Sequence, residues 1–161
     1  MAPIIANAAE SWASIYAASP MLRTVVGFAH VAGLVGGGGC AIAADRAALV
    51  AWRSGAVERE SYLRWLPRTH RAVLAGLAAV VVSGVLLAFA DLDAYWVSRA
   101  FWIKMALVVA LLVNGAVLAS AGRRVAGGDA ARWRTLRVTS ALSLFLWFLT
   151  TLLGAALPNA L

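Results

Sequence analysis

Four stretches of this chain are apolar over the ~20 residues that a helix needs to cross hydrocarbon. They run from Thr24 to Ala44, Ala72 to Ala90, Phe101 to Ala121 and Val138 to Leu157. The first carries His30 as its only titratable side chain apart from Cys40, and the second carries no charge. The third is interrupted by Lys104 and Asn114, and the fourth is uncharged but holds Thr139, Ser140, Ser143, Thr150 and Thr151. Pro67 precedes the second stretch and Pro158 follows the fourth, positions that suit helix ends. The pattern predicts an all-α fold, an integral membrane four-helix bundle of up-down topology over residues 21–161. Residues 1–20 form a separate N-terminal segment. There Ile5, Ala8, Trp12, Ile15 and Tyr16 recur at three- and four-residue spacing, which fits a short amphipathic helix lying on the membrane surface. A disordered tail is the alternative. A signal peptide is not expected, because the segment lacks a basic start and Glu10 breaks its apolar run.

Composition sharpens this picture. Of 161 residues, 63% are hydrophobic and 13% charged, against ~25% charged in soluble domains. A soluble enzyme and a disulfide scaffold are excluded, since Cys40 is the single cysteine. The formal charge of +7 is read as basic links facing anionic lipid rather than as a nucleic-acid footprint. Arg46, Arg53, Arg59, Arg64, Arg68 and Arg71 fall between spans one and two, and Arg123, Arg124, Arg132, Arg134 and Arg137 between spans three and four. The link between spans two and three has only Arg99, against Asp91 and Asp93. Basic residues concentrate on the cytoplasmic side, which predicts both termini outside. Trp52, Tyr62, Trp65, Tyr95, Trp96, Trp102 and Trp133 lie near span ends, as an interfacial aromatic belt requires.

An ionisable side chain inside hydrocarbon is costly and points to function. His30 lies about two turns, and Lys104 about one turn, from span ends on the same side of the bilayer. Gly27, Gly33 and Gly37 share the helical face of His30, and Cys40 and Ala44 extend that stripe. Two readings stand for the glycine face: a trench that admits a flat macrocycle ligated by imidazole, or a groove for another helix with His30 hydrogen-bonded across it. Lys104 either snorkels outward beside Trp102 or faces an acidic group such as a haem propionate. Ser140, Ser143, Trp147, Thr151 and Gly154 form one mildly polar face of span four, which is a cofactor wall or a set of local hydroxyl bonds. Ala72, Gly76, Ala79 and Ser83 form a packing seam on span two, and Asn114 is expected to bond between helices. His70 opens span two at the far side from His30 and is expected to pair with Asp45 or a headgroup, or to ligate a second cofactor. Met21, Cys40 and Met105 are soft ligands in no recognised metal spacing.

His30 in "GFAHVAGLVGGG" and Lys104 in "FWIKMALVVALLVNG" resemble the CopD-like superfamily of small bacterial membrane proteins, which includes the HemJ-type protoporphyrinogen oxidases. The "AADRAALVAW" segment resembles four-helix relatives of that group. The resemblance runs from about Leu22 to Ser120. It implies a bacterial inner membrane protein that binds haem b, with His30 on the iron and Lys104 beside it, and a role in electron transfer or as a membrane oxidoreductase component; on the cofactor reading of the residues themselves, Gly33, Gly37 and Trp147 would line that haem. The chain departs from the oxidases at the end of span one and at "RWRTLRVTSALS" before the last helix, which tells against protoporphyrinogen oxidation. Two other functions stay open: an accessory subunit of a membrane complex, and a CopD-type transporter of copper or a small solute. The partners expected are the lipid bilayer and a homodimer or larger membrane complex, with no nucleic acid.

Overall fold

The computed structural model describes residues 3–159. Met1, Ala2, Ala160, Leu161 and the side chains of Pro3, Ile4, Ile5, Ala56 and Asn159 lie outside the described residues. Among the described residues seven α-helices follow one another: α1 (Pro3–Ala18), α2 (Pro20–Gly33), α3 (Gly39–Arg53), α4 (Ala56–Ala90), α5 (Leu92–Val97), α6 (Arg99–Ala126) and α7 (Trp133–Ala156). A π-helical turn, Leu34–Gly38, joins α2 to α3, so the first span is one continuous helix over Pro20–Arg53. With Val57–Ala90, Arg99–Ala126 and Ala130–Ala156 it makes four helices long and apolar enough to cross a bilayer. The protein is an integral membrane four-helix bundle. Its polarity is that of a chain solvated by lipid. Phe28, Val35, Phe145 and Phe148 are 71%, 71%, 62% and 68% exposed, whereas Asp45, Ser140 and Ser143 are buried.

The helices outrun the apolar stretches. The first apolar stretch ends at Ala44, yet its helix continues to Arg53; Pro67 suits a helix end before the second stretch, yet it lies inside α4. Hydropathy ends where charge begins, but a helix keeps its internal hydrogen bonds on leaving the hydrocarbon. Pro67 costs α4 the bond to the Leu63 carbonyl, which is tolerable near the polar end of a long helix. The connection from α3 to α4 is only Ser54 and Gly55, so most of the arginines expected in links ride on the ends of helices.

Local chemistry sets the other helix starts. Ser19 caps α2 by accepting from Leu22 N at 3.3 Å, with Pro20 at the first helical position. Ser98 caps α6 in the same way through Phe101 N at 3.4 Å. The N-terminal segment is helical, and its Trp12 Nε1 donates to the Leu86 carbonyl at 2.8 Å, so α1 rests on the end of α4. Ala9 is buried on this contact face while Ile15 is exposed.

The first span sits between α4 and α7, and α7 also packs along α6. Asn114 Nδ2 donates to the Thr139 carbonyl at 2.9 Å, joining α6 to α7 as expected. Near the arginine-bearing end, Ala48, Ala51, Tyr62, Ala121, Val125, Trp133 and Leu136 form the larger of two apolar clusters.

Candidate functional site

His30 lies in α2, half-buried, with Nδ1 3.0 Å from Ser83 Oγ on α4. The Ser83 hydroxyl donates to the Ala79 carbonyl. With that hydroxyl proton used, Ser83 Oγ is left to accept from His30 Nδ1–H. His30 is bonded across a helix contact, as one of its two readings required.

The glycine face has the same partner. A Cβ on Gly33 would lie 2.8 Å from the Gly76 carbonyl oxygen, and one on Gly37 would lie 2.9 Å from Gly76 Cα. α4 fills the groove beside His30 at backbone distance, and Gly76 is what allows it. Of the two readings of the glycine face, the packing is that of a groove for another helix, and no room for a macrocycle remains beside Gly33 and Gly37. Trp147 packs elsewhere, with ring carbons 3.1 and 3.2 Å from where a Gly38 Cβ would be. Lys104 lies against Gly154, whose Cβ would be 3.4 Å from Nζ. That places the ammonium at the last turns of α7, where unpaired carbonyls and the helix dipole favour a cation. Lys104 thus lies against the end of α7 and stays within electrostatic reach of His30.

His30, Gly33 and Gly37 share the contact with α4, whereas Lys104 lies against Gly154 and Trp147 against Gly38, so the five residues line helix contacts rather than one cavity. A haem does not fit among them within this chain, although Nε2 of His30 is chemically able to ligate. Among the described residues no group of three His, Cys, Asp or Glu could hold a metal ion. Met21, one of the soft candidates, is 77% exposed.

The structure brings together a different set. Asp45 on α3 is 3% exposed and faces the hydroxyls of Ser143 and Ser140 on α7, with Tyr62 of α4 close by. Ser140 is 0% and Tyr62 8% exposed. Asp45 Oδ2, Ser140 Oγ and Tyr62 Oη are buried without a hydrogen-bond partner, and so is Thr150 Oγ1 further along α7. Ion pairs among the described residues are Arg64–Glu60 and Arg132–Asp129, so no cation neutralises Asp45. Its expected pairing with His70 is corrected, because Asp45 points into the bundle toward α7. Tyr62 moves likewise from the expected aromatic belt to the core.

Sequence reasoning missed Asp45 because of the π turn. From Gly33 on, the buried positions of the first span are Gly33, Gly37, Gly38, Ala41, Asp45, Ala48 and Ala51, and the stripe from Gly33 reaches Asp45 through Gly37 and Ala41. Three successive steps of four residues exceed the ~3.6 of an α-helix, as the wider turn allows. A stripe drawn at regular helical spacing passes through Cys40 and Ala44 instead. The Leu34–Gly38 glycine run was the available signal, since π turns recur at functional positions. On α7 the buried polar face holds Ser140, Ser143, Trp147 and Thr150, while Thr151 is exposed.

Fold and interior together define a polytopic helical membrane protein with one carboxylate buried among hydroxyls. Comparison with family models, curated proteins and solved structures gives no match. The CopD-like resemblance therefore rests on its quoted residues alone.

Proposed function

We propose that this protein is a proton-conducting member of the small-solute transporter class, with Asp45 as its proton-binding group. The observation that carries the reading is Asp45 itself, buried without a cation and facing Ser140, Ser143 and Tyr62, with orphan oxygens in the cluster. A bare carboxylate is expensive in hydrocarbon, so a positive charge must accompany it at some stage. Carboxyl, hydroxyl and phenol groups all exchange protons. The cluster has a single negative charge and fewer than the roughly six to eight oxygens that Ca²⁺ takes. From it Ser143, Trp147, Thr150 and Gly154 lead along α7 to Lys104, a rise of ~21 Å from Ser140 to Gly154 at ~1.5 Å per residue.

This reading takes precedence over the other two on specific grounds. A haem protein needs room that α4 occupies. An accessory subunit accounts for the glycine contact but leaves the buried carboxylate without a purpose. Proteoliposomes holding a pH-sensitive dye, driven by a potassium diffusion potential, test the reading. Wild-type vesicles should acidify or alkalinise with the sign of the potential, and Asp45→Asn vesicles should behave like empty ones. Wild-type vesicles no faster than empty ones, or an Asn variant as fast as wild type, would overturn it.

The proposal includes an orientation in the bacterial inner membrane, with the Arg-bearing end cytoplasmic and both termini outside. Support comes from the basic residues at the α3–α4 and α6–α7 ends. In a Cys40→Ser background, Asp93→Cys should react with an impermeant maleimide on intact cells and Gly55→Cys should not. The opposite labelling would reverse the orientation.

A further inference from the structure

At the end of the bundle where α3 meets the start of α7, three arginines surround one open groove. Arg46, Leu49, Val50 and Arg53 present one face of α3, and Arg137, Val138 and Ala141 present the facing side of α7, with Trp52 beside them. The groove has a volume of about 620 Å³. Arg53 ends α3, Arg137 lies about one turn inside α7, and Arg46 lies about two turns inside α3. All three side chains are exposed, and among the described residues none is in an ion pair. Asp45, next to Arg46 in the chain, points the other way, into the bundle. Arg137 stacks over the Trp52 ring with its guanidinium carbon 5.3 Å from the ring centroid, which holds that planar cation at the groove wall.

We propose that this groove is a binding site for one anionic phospholipid. Guanidinium groups bind phosphate oxygens through paired N–H donors, and arginine is the residue suited to that geometry. Long side chains on helix ends reach out of the hydrocarbon to the headgroup level while their stems stay in lipid. The apolar walls formed by Leu49, Val50, Val138 and Ala141 continue from the arginines toward the lipid-facing flank of α7, where Phe145 is exposed. An acyl chain lying there covers apolar surface that a free phosphate would leave bare. Charge and groove therefore select a molecule with a phosphate at one end and a hydrocarbon chain at the other. Basic pockets between helices at the membrane surface recognise headgroups in this way. The site is independent of the orientation of the protein and of the role given to Asp45.

Native mass spectrometry of the detergent-purified protein, with added phosphatidylglycerol or phosphatidylcholine, tests the assignment. One phosphatidylglycerol should be retained in preference to phosphatidylcholine. The triple variant Arg46→Gln, Arg53→Gln, Arg137→Gln should weaken its retention on the order of 100-fold, about fivefold for each arginine near the surface. A second triple variant at the same end, Arg124→Gln, Arg132→Gln, Arg134→Gln, has the same net charge and should retain the lipid. Equal loss in both variants would mean diffuse charge rather than a built site, and would overturn the proposal. Equal retention of phosphatidylcholine would overturn it too. Displacement of the lipid by equimolar glycerol 3-phosphate would show that the chain contacts contribute nothing, and the lipid assignment would fall.

Discussion

Gly76→Leu is expected to abolish recovery of folded protein. A Cβ at this position meets Gly37 N at 2.6 Å and Gly33 O at 2.9 Å, and the Gly37 Cα is closer still. Overpacking ordinarily costs ~1–3 kcal/mol because side chains can move aside. Here the obstacle is the backbone of the first span on both sides of the contact. α4 can accommodate the side chain only by separating from α2 and from the π turn, which also breaks the His30–Ser83 bond. The cost should therefore exceed that ~3 kcal/mol limit for side-chain overpacking. Gly33→Leu and Gly37→Leu should act in the same direction. Two controls isolate the cause. Leu74→Ala lies two residues away on the exposed flank of α4 and should be nearly silent. Gly39→Ala places its Cβ where nothing lies within 4 Å, so it should be tolerated. Size-exclusion profile and thermal midpoint in mild detergent are the readouts. A monodisperse Gly76→Leu protein with an unchanged midpoint would show that the two helices do not meet at this point.

Asp45→Leu is expected to separate stability from function. A buried carboxylate without a cation carries a desolvation cost that an apolar side chain does not, and this offsets the ~1–3 kcal/mol of fitting the larger leucine. Asp45 has no cationic partner, and Oδ2 holds no hydrogen bond. Its removal deprives the fold of little, and the leucine would pack against Ala41 and Ala48 on its own helix face. The thermal midpoint should hold or rise while proton flux in vesicles disappears. Proteins keep destabilising groups where activity requires them. If Asp45→Leu unfolds the protein as Gly76→Leu is expected to, the carboxylate is a structural element and the proton-conducting reading loses its main support. Ser140→Ala is a milder companion. Its hydroxyl is unpartnered and fully buried, so the midpoint should change little, and any loss of flux reports the relay rather than the fold.

Hydropathy alone determined the number of spans, their order and their placement in a bilayer, because hydrocarbon imposes its length requirement on each segment separately. Arginine position likewise marked one end of the bundle, and the lone Asn114 was legible as a bond between helices. Helix ends were not legible: charge at Asp45 marks the edge of an apolar stretch, whereas helix continues as long as its own hydrogen bonds do. The glycines around His30 show the second limit. Small residues serve a flat ring and a neighbouring backbone equally well, and only the arrival of Gly76 opposite Gly33 and Gly37 chose between them. Asp45 shows the third. Which face of the first span turns inward after Gly38 depends on the extra residue taken up by the π turn, a choice made by packing against α4 and α7. Tertiary structure thus decided the site, because the orientation of a side chain within a bundle depends on every contact that precedes it along the helix.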